Sequence, residues 1–252
     1  MSQKMKILGI IPARFESTRF PGKVLVDING MSMVQRVYEQ ANKSTLLSKV
    51  IIATESKKVQ KHVASFGGEV VLTSNNHVSG TDRCFEALLL QKEKYEYVIN
   101  IQGDEPFIVP TQIDELAKLL DGKVELATLI KKITTSAELF NYGEVKTVFN
   151  KAMEALYFSR QPIPYCRNAG EMEWLSHQDY YKHIGIYAYR ADILKKVSQL
   201  PISALEKAES LEQLRWIENG LKIKLAFTKH QSICIDTKED LDKVMANIDN
   251  FL

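Results

Sequence analysis

Three cationic side chains, Arg14, Arg19 and Lys23, fall within ten residues in the stretch PARFESTRFPGK (12–23), directly after the apolar run MKILGII. A structural turn needs none of them. A loop that joins three cations to its own backbone N–H groups, with Gly22 free of a side chain, has the composition to wrap a polyphosphate by charge and hydrogen bonding together. It is not a P-loop, which would require glycine at 17 and Ser or Thr at 24 where the chain has Ser17 and Val24, and no G-x-G-x-x-G occurs. On spacing alone a solvated basic turn competes with the phosphate reading, so a second signal is needed.

VINIQGDEPFI (98–108) supplies it. An apolar strand runs into Gln102, Gly103 and Asp104, and a carboxylate at the edge of a core is costly unless a cation compensates it. Hard oxygen donors suit Mg²⁺, which takes one or two protein carboxylates and completes its shell with water and phosphate. Asp104 is the leading ligand, with Glu105 the alternative. Asp236 has similar placement in SICIDTKEDL (232–241), where Thr237 reads as a helix N-cap with Asp240 at N3, which leaves Asp236 unexplained by capping. HVSGTDR (77–83) places Ser79, Gly80 and Thr81 at a helix start and Arg83 in its first turn, a capping pattern whose donors could also read a base or ribose.

In the later half, Tyr157 to Arg160 and His183 to Tyr187 read as strand segments with polar residues among apolar ones. Glu209 and Gln213 fall at i, i+4 spacing on one expected helix, roughly 205–219, that ends at Gly220.

These residues must be held by elements, and the chain's rhythm says which. Short β-rich runs at 6–11, 49–54, 69–73 and 97–102 alternate with helical patterns at about 32–43, 56–65, 81–93 and 110–120. Runs such as KVIIAT are continuously apolar, as a parallel strand covered on both faces requires. The expected class is α/β with a three-layer, largely parallel sheet, and in such a sheet the ligand crevice lies beyond the carboxyl ends of the strands, where PARFESTRFPGK is the first loop. From about 124 to 225 the rhythm changes to strands with few long helices between them, read as an insertion with an antiparallel part inside one domain spanning 1–252. KIKLAF and SICID read as two short strands before a last helix from about 238.

Composition narrows the function classes. A net charge of +2, from 33 basic and 31 acidic residues, gives no global field for nucleic acid, and the N-terminal apolar run is too short for a signal peptide or membrane span, so neither nucleic-acid binding nor membrane insertion is expected. Cys84, Cys166 and Cys234 are odd in number and far apart, which argues against a disulfide framework or zinc site and fits a reducing cytoplasm.

Taken in order from about residue 5 to 248, PARFESTRFPGK, HVSGTDR, INIQGDEPFI, LYFSR, HIGIYAYR, LEQLR and IDTKEDL closely resemble the 3-deoxy-manno-octulosonate (Kdo) cytidylyltransferase family. The resemblance implies a Rossmann-like fold of the nucleotide-diphospho-sugar-transferase type with a smaller region for sugar binding and dimer contact. It implies Mg²⁺-dependent transfer of CMP from CTP to the anomeric hydroxyl of Kdo, with release of pyrophosphate, by a cytoplasmic homodimer serving lipopolysaccharide assembly. Carried over residue by residue, it places Arg14, Arg19, Lys23, Ser79, Gly80, Thr81, Arg83, Gln102 and Gly103 at the nucleotide, Asp104 and Asp236 at the metal, and Arg160, His183, Tyr187, Glu209 and Gln213 at the sugar, with Arg160 pairing the substrate carboxylate. Arg14, Lys23, Asp104 and Asp236 form the implied catalytic set. Relatives often carry Gln at position 78 and Asp at position 55, where this chain has Val78 and Glu55, and 164–180 matches the family least and reads as a mobile or variable loop. The alternatives are transfer to 8-amino-Kdo or sialic acid, a sugar 1-phosphate substrate, and a non-catalytic nucleotide-binding protein.

Overall fold

Continuous apolar runs become fully covered strands in the computed structural model, which describes residues 5–17, 20–231 and 233–251. The chain divides into two compact units, Met1–Ala117 with Ser232–Leu252, and Lys118–Gln231. The second unit extends a few residues beyond each end of the 124–225 range marked by the change in sequence rhythm.

The first unit is built on β1 (Ile7–Pro12), followed by the small hairpin β2 (Asp27–Ile28) and β3 (Met31–Ser32), then α1 (Met33–Ala41), β4 (Lys49–Thr54), α2 (Lys57–Ser65), β5 (Val70–Leu72), α3 (Gly80–Leu89), β6 (Tyr97–Asn100) and α4 (Pro110–Ala117). Its main ladder is all parallel in the order β6, β1, β4, β5, with Ile10 opposite both Asn100 and Ile51. Leu8, Ile10, Ile11, Ile52 and Ile99 have no exposed surface, which is why these strands do not alternate. The helices start on side-chain caps: Ser32, Ser56 and Ser79 each accept a backbone N–H from three residues on. The final helix, Lys238–Met245, carries the capping box of Thr237 and Asp240 and packs Val244 with Ile28, Met33 and Ile235. The expected α/β class with a largely parallel sheet holds.

The second unit contains β7 (Leu126–Lys132), α5 (Ser136–Leu139), β8 (Lys146–Phe149), β9 (Ala155–Ser159), α6 (Trp174–His177), β10 (Tyr181–Arg190), α7 (Ala191–Ser198), α8 (Ala204–Glu209), α9 (Glu212–Glu218) and β11 (Ile223–Phe227). Here β10 pairs antiparallel with β7 and β8, β8 pairs antiparallel with β9, and β11 runs parallel to β7.

Three expectations are corrected. The helix expected at about 205–219 is two helices, because Ser210 adopts a left-handed conformation (φ 53°) and Leu211 an extended one that buries its side chain. Glu209 and Gln213 therefore lie on either side of a break and share no helix face. SICID makes no ladder among its described residues; Ile235 instead donates its N–H to the carbonyl of Asp104 at 2.9 Å. The 164–180 stretch is more than loop: it contains helical turns at Glu171–Glu173 and α6, and Trp174 and Tyr180 stack in a buried cluster with Ile133 and Leu139. No helix among the described residues is long and apolar enough to cross a membrane.

Candidate functional site

The carboxyl ends of β1 and β6 and the N-terminus of α3 border a cleft of about 400 Å³ in the first unit, lined by Arg14, Lys23, Ser79, Gly80, Gln102, Gly103, Asp104 and Asp236 together with Pro12, Glu16, Ser17, Val24 and Val78. The first loop turns on Gly22, whose positive φ of 72° is one that L side chains rarely adopt, and its N–H donates to the Phe15 carbonyl at 2.9 Å. A single turn of 3₁₀ helix from Lys23 to Leu25 then buries Val24 and leaves the Lys23 ammonium on the cleft side. Ser79 caps α3 in a capping box with Asp82, and the loop before it is tied down because Ser74 N–H and His77 Nε2 both meet the Glu86 carboxylate. Capping and cleft lining thus coexist at Ser79.

Asp104 and Asp236, 132 positions apart, converge on one cation. The Lys23 Nζ lies 2.7 Å from Asp104 Oδ2 and 2.9 Å from Asp236 Oδ1. Burial pulls the ammonium down, but the two carboxylates outweigh it and hold Lys23 above the ordinary lysine value, so it stays charged. Two hard carboxylate donors that already converge on a positive group have the chemistry to hold Mg²⁺, and they can do so with phosphate oxygens completing the shell. Cys234 Sγ also lies within 4.8 Å of both carboxylates. The sequence reading missed it because no metal-type cysteine spacing marks it; its signal is its place two residues before Asp236 on an extended segment. Glu105, the alternative ligand, is buried and does not line the cleft.

Not every residue assigned to the nucleotide reaches the cleft. Arg83 is 1% exposed; its Nη1 donates to Thr73 Oγ1 at 2.5 Å and its Nη2 lies 3.0 Å from Glu55 Oε2. Glu55 Oε1 in turn accepts the Phe15 N–H at 2.8 Å, so Arg83 and Glu55 brace the first loop from behind. Burial lowers the Arg83 value while Glu55 supports its charge. Thr81 is likewise buried and off the cleft lining. Gly103 serves close approach: a Cβ there would sit 2.7 Å from the Pro12 carbonyl oxygen, a backbone atom that cannot step aside cheaply. Arg19 lies outside the described residues.

The residues assigned to the sugar all belong to the second unit, and two of them, Arg160 and Glu209, are knit together through Ser159. Glu209 accepts from Ser159 Oγ at 2.7 Å with one oxygen and from the Arg160 N–H at 2.9 Å with the other. Arg160 sends its guanidinium to three backbone carbonyls, of Glu209 (2.7 Å), Tyr142 (3.1 Å) and Ser210 (3.4 Å). The expected pairing of Arg160 with a carboxylate ligand is therefore left to the remaining two of its five N–H donors. Gln213 is buried in α9 beyond the break.

His183 and Tyr187 flank an irregularity in β10, where pairing with β7 shifts between Ile184 and Tyr187. The hydroxyl of Thr128 on β7 has one proton and faces the carbonyls of Ile186 (2.7 Å) and Ile184 (3.0 Å), so its contact at 3.0 Å with His183 Nε2 makes the imidazole the donor. His183 is thereby assigned the Nε2–H tautomer, with Nδ1 as its acceptor. Its ring packs edge-on against Phe158 and beside Tyr187, and burial lowers its pKa to about 3. Tyr187 is buried; its hydroxyl has no hydrogen-bond partner among the described residues, and burial raises its pKa well above the usual phenol value. An orphaned buried hydroxyl, here among the rings of His183, Tyr189 and Trp216, is unusual.

A family model described as cytidylyltransferase matches residues 8–223. The chain is 52% identical over 251 residues to a 3-deoxy-manno-octulosonate cytidylyltransferase of Parabacteroides distasonis, covering 98% of this chain and 99% of the relative. It is 51% identical to one of Cytophaga hutchinsonii, covering 97% and 98%. Among solved structures it is similar to a CMP:2-keto-3-deoxy-manno-octonic acid synthetase complexed with CTP, at 42% identity and a TM-score of 0.90, covering 98% of this chain and all of that one.

Proposed function

The chain belongs to the 3-deoxy-manno-octulosonate cytidylyltransferase family, and from that premise we propose that it transfers CMP from CTP to the anomeric hydroxyl of Kdo, releasing pyrophosphate. The observation that carries the reading is the convergence of Lys23, Asp104 and Asp236 at a cleft that also gathers Arg14, Ser79, Gly80 and Gln102.

In this reaction the sugar hydroxyl oxygen bonds to the α-phosphorus of CTP, the bond to the pyrophosphate oxygen breaks, and the hydroxyl proton is released to water. Little covalent work falls to the protein, so positioning and charge stabilisation dominate. Arg14 and Lys23 hold the triphosphate and offset the charge that accumulates on the leaving pyrophosphate. Gln102 and the N-terminus of α3 at Ser79 and Gly80 supply donors on the nucleotide side. Asp104 and Asp236 would hold Mg²⁺, which when bound neutralises phosphate oxygens and makes a coordinated hydroxyl more acidic. Arg160, His183, Tyr187, Glu209 and Gln213 form the sugar side, where a cation and a neutral imidazole acceptor suit a hydroxylated acid. On the same reading the enzyme works as a cytoplasmic homodimer feeding lipopolysaccharide assembly.

The test is pyrophosphate release from CTP and Mg²⁺ with Kdo, 8-amino-Kdo, sialic acid and a sugar 1-phosphate in parallel, each with an EDTA control. Release with Kdo that EDTA abolishes is the expected result. Preference for the amino sugar keeps the mechanism and changes the substrate. Product from the sugar 1-phosphate alone, or CTP binding with no turnover on any acceptor, overturns the assignment.

A further inference from the structure

A lysine that no nucleotide or sugar assignment uses lies fully buried in the second unit. Lys146, the first residue of β8, has no exposed surface, and in the antiparallel ladder it sits directly opposite Lys182, which is 1% exposed. Like charges placed opposite each other on a sheet repel. The structure resolves this by giving each ammonium a different kind of partner. Lys182 is paired with carboxylates, Glu138 Oε1 at 2.5 Å and Glu144 Oε1 at 3.2 Å. Lys146 has no carboxylate at ion-pair distance among the described residues; it donates to three backbone carbonyls, those of Asn141 (3.0 Å), Glu144 (2.7 Å) and Arg160.

An ammonium has three N–H donors, so all of them are spent on this one cluster of carbonyls. The third acceptor is the informative one. The Arg160 backbone is gripped on both sides of its Cα, its carbonyl by Lys146 and its N–H by the Glu209 carboxylate, while the Arg160 side chain returns to the Glu209, Tyr142 and Ser210 carbonyls. Asn141, which Lys146 also holds, immediately precedes Tyr142. Lys146 thus sits beneath both segments that aim the guanidinium. Burial lowers its pKa, with Arg160 adding to that and the Glu144 and Glu209 charges opposing it, so the site accepts an electrostatic cost that an uncharged donor would avoid.

We infer that Lys146 is a positioning residue for the acid-sugar subsite: its three N–H groups hold the carbonyls of Asn141, Glu144 and Arg160, and through the last the Arg160–Glu209 pair, without touching the sugar. The inference rests on the reading above that this pair belongs to the sugar side. It distinguishes Lys146 from Lys182, whose carboxylate partners tie β10 to the 138–144 segment and leave Arg160 alone.

The experiment compares wild type with Lys146→Met, which keeps length and apolar volume but has no donor, and Lys146→Arg, which restores charge and donors. Steady-state KM is measured for CTP and for whichever acid sugar the wild type uses, alongside hydrogen exchange of a peptide spanning 157–162. Lys146→Met is expected to raise the sugar KM roughly 10- to 100-fold, to leave the CTP KM within about twofold, and to speed exchange at the Arg160 amide, with Lys146→Arg recovering part of each. Equal increases in both KM values, or unchanged exchange at Arg160, overturn the inference. If Lys146→Met does not fold, Lys146→Arg decides: a wild-type sugar KM with faster Arg160 exchange, or a shifted KM with no change in exchange, also overturns it. A wild type that turns over none of the acid sugars refutes the function, and the exchange measurement still decides the role of Lys146.

Discussion

The backbone N–H of Ile235 donates to the carbonyl of Asp104 at 2.9 Å. That bond clips the C-terminal segment to the turn after β6, and the residue next to Ile235 is Asp236. The two carboxylates thereby reach the same lysine, and neither could be placed there by its own neighbours in sequence.

If that pair positions the catalytic cation, Asp104→Ala and Asp236→Ala should each lower turnover by at least roughly 100-fold. Circular dichroism melting must show a folded protein in both cases, and pyrophosphate release gives the rate. Near-normal turnover in either folded variant removes that residue from the mechanism.

Arg83 should behave as a brace and not as a nucleotide contact. Arg83→Met strips the partner from Glu55, and breaking a buried pair from one side costs about 3–5 kcal/mol. Denaturant unfolding measures it. The double variant with Glu55→Gln should recover part of that loss, because no carboxylate is then stranded. A stable Arg83→Met protein with weakened CTP binding would instead restore Arg83 to the nucleotide site.

His183 gives stability a pH dependence with a definite sign. Its folded value of about 3 lies below the ordinary 6.5, so between those values the unfolded chain binds a proton that the folded chain refuses. Its contribution is fully present above about pH 6.5 and is lost as pH falls toward 3, at a slope of at most ~1.4 kcal/mol per pH unit. Urea unfolding of wild type and His183→Asn at pH 7.5, 6 and 5 should show the wild type losing its advantage on acidification. Nitrogen shifts of the ring should report a neutral Nε2–H tautomer throughout that range.

Tyr187→Phe removes a buried hydroxyl that has no partner among the described residues. Deleting an unsatisfied polar group is neutral or stabilising, so the melting temperature should hold or rise. The sugar KM should rise roughly tenfold if the hydroxyl finds its partner in the substrate. A clear loss of stability with an unchanged sugar KM would make Tyr187 a purely structural residue.

The sequence by itself determined the α/β class, the parallel strand at 49–54 and one expected at 97–102 that ends at Asn100, the caps at Ser79 and Thr237 and the cationic first loop. Each follows from local periodicity, from hydrogen bonding within a few residues, or from composition. Motif order carried the family resemblance. Tertiary structure decided what distance in sequence conceals. Nothing near Arg83 shows that its charge is buried behind the first loop and not directed at a nucleotide, because Glu55 and Thr73 approach it from other elements. Helical spacing put Glu209 and Gln213 on one face, and the left-handed Ser210 separated them so that the Glu209 carboxylate caps Ser159 and Arg160. No sequence pattern singles out Lys146; only the fold brings three carbonyls to its ammonium, since burying a charge depends on partners that the local chain does not specify.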